Sequence, residues 1–221
     1  VLTDTGELTV EWRGRERYAA TWDHQLKLHA ERRRGAIGDT LILVEHEPVI
    51  TLGRQGDAAN LLLGEQALAD RRVDFHRVER GGDITFHGPG QLVAYPIIDL
   101  RARRLSVHDL MRGLEEALIL TIAEYGIGAG RQDGLTGVWL GEQKLAALGV
   151  AVRGGVSFHG FALNVCTDLD FFSLIVPCGL TGKQVTSIAQ LSGREVTIED
   201  IRPLAARQLA TAFGYTGIIE A

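Results

Sequence analysis

Residues 80–91 constrain the fold of this chain more than any other stretch. They read Arg80, Gly81, Gly82, Asp83, Ile84, Thr85, Phe86, His87, Gly88, Pro89, Gly90, Gln91. A simple hairpin needs one or two residues with positive φ at a short turn. This segment spends four glycines and a proline instead. The Gly81-Gly82 pair removes side chains so that something can approach the main chain closely. Gly88-Pro89-Gly90 sets a sharp turn beside it. With Arg80 and His87 as polar groups at its ends, the stretch reads as a binding surface built from backbone.

The rest of the chain frames that surface with strands and a few helices. Residues 8–12, 40–45, 49–52, 73–78, 84–86, 92–98 and 156–165 read as strands, and 138–140 with 144–152 as a hairpin. Tyr18, Trp22, Leu26 and His29 recur at helical spacing, with Gly35 placed to end the helix. Ser106 and Asp109 form a capping box ahead of Leu110, Leu114, Leu118 and Ile122. Thr197 and Asp200 repeat the device before a helix running to Phe213, which must absorb Pro203. Short helices are expected at 68–72, 168–174 and 186–191. Long helices between many strands predict an α+β fold with a mixed sheet flanked by helices. Length and the lack of a linker predict one domain over 1–221, with a small C-terminal subdomain from about residue 175.

Composition excludes several classes. A formal charge of −5 provides no global field for nucleic acid. The arginines are nevertheless clumped at 32–34, 71–72 and 101–104, which read singly as solvated ends and together as a landing patch for an acidic partner. No apolar run reaches membrane-spanning length, and a secretory signal peptide is not expected. Two cysteines are too few for a disulfide framework. A cytoplasmic, reduced protein is expected.

Several residues carry reactive chemistry. Cys178 stands between Pro177 and Gly179, at a rigid corner, and reads equally as a nucleophile or as a small buried hydrophobe. Cys166 closes an apolar strand and reads as a core thiol. A nucleophilic thiol needs a neighbouring cation or base. His87, His159, Lys144 and Lys183 are the candidates. Lysine is scarce: three occur in the chain, beside twenty arginines. Lys144 begins an apolar run and reads either as that partner or as a charge protecting a strand edge. His87 and His159 each follow a phenylalanine and precede a glycine. No carboxylate or cysteine stands beside them at ligand spacing, so zinc is not expected. The sequence has neither a phosphate-binding P-loop nor the Gly-x-Ser-x-Gly elbow of hydrolases.

The segment from Arg80 through Val93 resembles the signature of the octanoyltransferases of lipoate synthesis, also called lipoate-protein ligase B. Lys144-Leu145-Ala146-Ala147-Leu148-Gly149-Val150, Ser157-Phe158-His159-Gly160-Phe161-Ala162-Leu163-Asn164-Val165 and Pro177-Cys178-Gly179 follow in that family's order. The resemblance implies the catalytic fold of biotinyl and lipoyl protein ligases. It implies transfer of an octanoyl group from octanoyl-acyl carrier protein to Cys178. The group then passes to a lysine of the lipoyl domains of 2-oxoacid dehydrogenase complexes and of the glycine cleavage H protein. Lys144 is then the partner of Cys178, either as proton shuttle or as a fixed charge. Arg80, Gly81, Gly82, Asp83, Ile84, Thr85, Phe86, His87, Ala147, Leu148, Gly149, His159, Gly160, Phe161 and Ala162 are expected to line the acyl site, with Gly82 and Gly160 letting the aliphatic chain lie against the backbone. No cofactor or metal is implied, and neither nucleic acid nor membrane is an expected partner. An ATP-dependent lipoate or octanoate ligase of the same fold needs no cysteine at its site. A non-catalytic acyl-binding protein needs neither Cys178 nor Lys144.

Overall fold

A computed structural model describes residues 6–176 and 184–221. In chain order the elements are β1 (Glu7–Glu16), α1 (Tyr18–Arg33), β2 (Thr40–His46), β3 (Val49–Leu52), α2 (Glu65–Asp70), β4 (Asp74–Arg77), β5 (Ile84–His87), β6 (Gln91–Ile97) and α3 (Val107–Ala123). There follow β7 (Gly130–Gln132), β8 (Leu135–Leu140), β9 (Gln143–Arg153), β10 (Val156–Asn164), β11 (Gln184–Val185), α4 (Ile188–Ser192), α5 (Ile198–Ala212) and β12 (Gly217–Glu220). The segment expected to be helical at 168–174 forms a 3-10 helix over Leu169–Leu174, opened by Asp168.

Among the described residues the large sheet runs β12-β1-β2-β6-β10-β9-β8-β7, with β11 added alongside β9. It is mixed: β1 pairs in parallel with β2 and β12, and β6, β10, β9 and β8 pair antiparallel. A second sheet has the order β4-β3-β5. The strands on either side of the Gly81-Gly82 pair therefore do not pair with each other. Both pair with β3, β4 in parallel and β5 antiparallel. A parallel pair cannot be closed by a tight turn, so residues 53–73, with α2, join β3 to β4, and the glycine segment then crosses the end of β3 from β4 to β5. β7, β11 and β12 have at most four residues each, and their strand character comes from the neighbour they pair with.

Three apolar cores hold the layers. Ser106 and Asp109 cap α3 reciprocally, and Thr197 and Asp200 do the same for α5. Leu110, Leu114, Leu118 and Ile122 of α3 then pack with Ile201, Ala205 and Leu209 of α5 on one face of the large sheet. Each such leucine, fully buried, contributes about 1.5–3 kcal/mol. Tyr18 and Leu28 of α1 cover the other face with Ile42, Val93, Tyr95 and Phe158. The small sheet has its own core of Ile50, Leu52, Ile84 and Phe86 with Leu68 and Phe172. α5 continues through Pro203.

The arginine clumps are divided in use. Arg32 bonds the fully buried Asp39 through Nε at 2.8 Å. Arg103 stands 3.8 Å from the same carboxylate and stacks over Tyr215, whose hydroxyl donates to Asp39 at 2.8 Å. These two arginines belong to the interior. Arg33, Arg34, Arg101 and Arg104 stay exposed.

Candidate active site

A cavity of about 780 Å³, its open mouth included, lies between the two sheets. Strand register arranges its wall in rungs. Asn164 pairs with Gln91, Ala162 with Val93 and Ala147, and Gly160 with Gly149. Side chains two apart share a face, so these rungs stack along the strands over roughly 13 Å at about 3.4 Å per residue. Tyr95 and Tyr18 close the far end with Arg80 and His159. Ile84, Val93, Leu148, Phe161, Ala162 and Phe172 give the interior an apolar lining.

Arg80, Gly82, Asp83, Ile84, Thr85 and His87 border the cavity from the small-sheet side. Lys144, Ala147, Leu148 and Gly149 of β9 border it from the large sheet, with His159, Gly160, Phe161 and Ala162 of β10. Two expected lining residues do not. The Phe86 ring stacks on Phe171 at 4.8 Å and meets Phe172 edge-on, inside the core of the small sheet. Gly81 ties the loop to β9 instead, its N–H donating to the Val150 carbonyl at 2.9 Å. Gly160 borders the cavity for a reason other than the one expected. A Cβ there would collide with the Ala94 carbonyl oxygen and sit 2.6 Å from Pro96. The glycine makes room for the neighbouring strand, not for a ligand.

Buried polar groups are fixed by the backbone. The Arg80 guanidinium, 8% exposed, donates to the Thr51 carbonyl at 2.7 Å, to the Thr51 hydroxyl and to the Gly81 carbonyl. His159 is held at φ 55°, its ring stacked on Trp22 at 4.6 Å, and its backbone N–H donates to Gln25 Oε1. Burial and the Arg80 charge push its pKa down to about 3. Burial, with a smaller contribution from His46, pushes His87 down to about 3 as well. Burial alone takes His46 to about 4 against the opposing carbonyl of Glu16. All three imidazoles are neutral at physiological pH. Among the described residues no three His, Cys, Asp or Glu side chains gather as a metal site.

Cys178, with Pro177, Gly179 and Lys183, lies outside the described residues, but the structure fixes what flanks that segment. Before it, the Val176 N–H donates to the Asn60 carbonyl at 2.8 Å. Asn60 in turn donates to Asp83 Oδ2 at 2.6 Å, so a cavity residue holds the entry. After it, Val185 pairs with Lys144. β10 stops pairing with β9 at Ala146, and β11 continues alongside β9 in its place. Asn164 Nδ2 donates to the Thr186 carbonyl at 3.0 Å, closing the base of the excursion between β10 and β11. The ammonium of Lys144 lies 5.0 Å from the centre of the Trp139 ring.

Cys166 departs from expectation. It is exposed, immediately past the end of β10. Partial burial of the thiol and the nearby Glu45 carboxylate push its pKa up. Its backbone serves the Gly88-Pro89-Gly90 turn. The Gly90 carbonyl accepts from Val165 N, Cys166 N and the Thr167 hydroxyl, and Gly90 N–H donates to Glu45 Oε1 at 2.6 Å. Gly90, at φ 78°, allows that clamp.

Comparison with known proteins fits this geometry. Residues 17–210 match the family model described as the lipoyl protein ligase A/B catalytic domain. The chain belongs to that family. A relative in it, named octanoyltransferase, from Solibacter usitatus, is 49% identical over 202 residues, covering 91% of each chain. The family fold extends to a bipartite lipoate protein ligase of Thermoplasma acidophilum, with a TM-score of 0.70 at 20% identity over 98% of this chain and 85% of that one. A biotin protein ligase from Aquifex aeolicus aligns at a TM-score of 0.55 and 11% identity, over 93% and 70% of the two chains. The mixed sheet flanked by helices is thus the catalytic fold shared by lipoyl and biotinyl ligases.

Sequence reading missed Tyr18, Tyr95 and Phe172 as lining residues, and gave Gln91 and Asn164 no role. Gln91 and Asn164 stand at strand ends, where a lone amide in sequence carries no sign of its partner.

Proposed function

We propose that this chain is an octanoyltransferase that takes its acyl group from octanoyl-acyl carrier protein and delivers it to a lysine of lipoyl domains, through a thioester on Cys178. The partners are the lipoyl domains of 2-oxoacid dehydrogenase complexes and the glycine cleavage H protein. The whole chain serves as one catalytic unit. The observation that carries this reading is the convergence of three elements on one cavity: the glycine segment, the Lys144 strand, and both anchored flanks of the Cys178 segment.

The cavity's rungs give an extended eight-carbon chain room to lie along the strands. Thiolate attack on the carrier thioester forms one C–S bond and breaks another, so the step exchanges like for like and needs no ATP. Lys144 takes the Cys178 proton and returns it to the departing carrier thiol. In the second step an amine attacks the thioester carbon, a C–N bond forms, and the Cys178 sulfur leaves. The attacking lysine must be neutral, a state held by only about one free amine in a few thousand at pH 7. Lys144 receives the surplus amine proton and passes it to the departing sulfur.

Incubation with octanoyl-acyl carrier protein should leave an octanoyl-sized adduct on Cys178, read by mass spectrometry of the intact protein and its peptides. Cys178→Ser should abolish adduct and transfer, and Cys166→Ser should retain both. Equal loss in the two folded variants, or activity that depends on free octanoate and ATP, overturns the reading.

A further inference from the structure

We propose that His87 Nε2 is the hydrogen-bond acceptor that orients the attacking amine, in a tautomer imposed by the Gln91–Asn164 amide pair. The role deepens the two-step transfer proposed above and rests on it.

The tautomer follows from two backbone carbonyls, which can only accept. Asn164 Nδ2 donates to the Thr186 carbonyl at 3.0 Å, so its Oδ1 faces Gln91 Nε2 at 2.9 Å and accepts. Gln91 Nε2 also reaches the Phe86 carbonyl at 3.2 Å. Both amide protons of Gln91 are committed, and its Oε1 meets His87 Nδ1 at 2.7 Å. An acceptor at that distance requires the proton on Nδ1. A neutral imidazole carries one N–H, so Nε2 holds a bare lone pair.

The charged or titratable groups around the ring are His46 from β2, Arg80 from the loop before β5, and His159 from β10. None supplies a proton to Nε2 among the described residues. His46 is fixed by the same logic: its Nδ1 donates to the Glu16 carbonyl at 3.2 Å and its Nε2 accepts from the Tyr95 hydroxyl at 2.8 Å. Burial holds His87 neutral, with a pKa of about 3. The cavity therefore presents an acceptor that does not become a donor at working pH.

His87 borders the cavity together with Lys144. Gln91 pairs with Asn164, Asn164 bonds the Thr186 carbonyl, and Thr186 N–H donates to the Lys144 carbonyl at 3.0 Å. A neutral primary amine has two N–H bonds and one lone pair. Attack requires that lone pair on the thioester carbon, so an N–H must be drawn elsewhere. His87 Nε2 draws it, and is too weak a base to keep the proton, which passes to Lys144. The first step brings a thioester carbonyl and no amine, so it has no use for this acceptor.

The two half-reactions separate the role from a structural one. Octanoyl-pantetheine serves as acyl donor, and a lipoyl domain with its free lysine as acceptor. His87→Leu should slow transfer from preformed octanoyl-enzyme by roughly tenfold or more, the worth of one lost hydrogen bond. Octanoylation of Cys178, which uses the same cavity but brings no amine, should slow far less than the second step. His87→Gln, whose Oε1 stands near the lost Nε2, should recover part of the second step. Gln91→Met should lower the second step selectively as well. Nitrogen-15 NMR should show the Nδ1–H tautomer for His87 throughout pH 5 to 8 in the wild type and a mixture in Gln91→Met. Equal slowing of both steps, an Nε2–H tautomer, or protonation near neutral pH overturns the assignment. Transfer without any octanoyl-Cys178 in the wild type overturns the two-step reading and the amine role with it, while the tautomer measurement stands apart.

Discussion

Lys144 opens β9 with its ammonium beside the Trp139 ring, next to the point where Val185 joins the sheet. From that place it can act as a proton shuttle or as a fixed positive charge, and arginine distinguishes the two. A guanidinium keeps its charge and does not give up its proton. With a shuttle, Lys144→Arg leaves alkylation of Cys178 by iodoacetamide fast near neutral pH. Transfer to the target lysine falls by about a hundredfold or more, as for loss of a general base. Near-normal rates in both half-reactions would assign Lys144 a purely electrostatic role. The bulk of guanidinium is controlled for by measuring the first acylation separately.

At the scale of elements, β10 is the member on which the site depends. Every one of its residues is buried, and it contacts β6 on one side and β9 on the other. Gly160 is where β6 approaches it too closely for any side chain. Gly160→Val therefore does not trim the acyl chain that the cavity accepts. It forces β6 and β10 apart and lowers stability by several kcal/mol, at the severe end of single substitutions. Urea denaturation should show a large fall in midpoint, or the variant should be recovered insoluble. A stable Gly160→Val protein with a shortened chain preference would contradict this account and restore the ligand-facing role.

Among the described residues, burial pushes the imidazoles of His46, His87 and His159 far down, and that of His29 in the same direction. In the unfolded chain each titrates near ~6.5. Between that value and the folded values of about 3 to 4, the unfolded state binds more protons. Stability is therefore fully present above pH 6.5 and is lost as pH falls toward the folded pKa values. The cost grows by at most about 1.4 kcal/mol per pH unit for each histidine. Asp39, whose carboxyl burial pushes up, acts in the opposite sense. Urea midpoints should be flat from pH 8 to 7 and fall steeply between 6.5 and 5. A midpoint unchanged from pH 7.5 to 5 would mean that these rings are not held neutral.

The amino-acid sequence by itself determined the local devices. The capping boxes at Ser106 and Thr197, the helical spacing of Leu110 to Ile122 and the strand runs lie within a few residues of each other, and each element forms where those signals stand. The glycine segment likewise announced a backbone-built surface, because glycine and proline act on their own φ and ψ. Tertiary structure decided whatever depends on a partner distant in sequence. It set β3 between β4 and β5, gave Gly160 to the Ala94 carbonyl, and turned Phe86 into a core. It divided one arginine run between solvent and the buried Asp39, and put Cys166 in the open. The Gln91–Asn164 pair shows the reason most plainly. Those residues stand 73 apart in sequence, and each amide has a direction only once the other and two backbone carbonyls are in place.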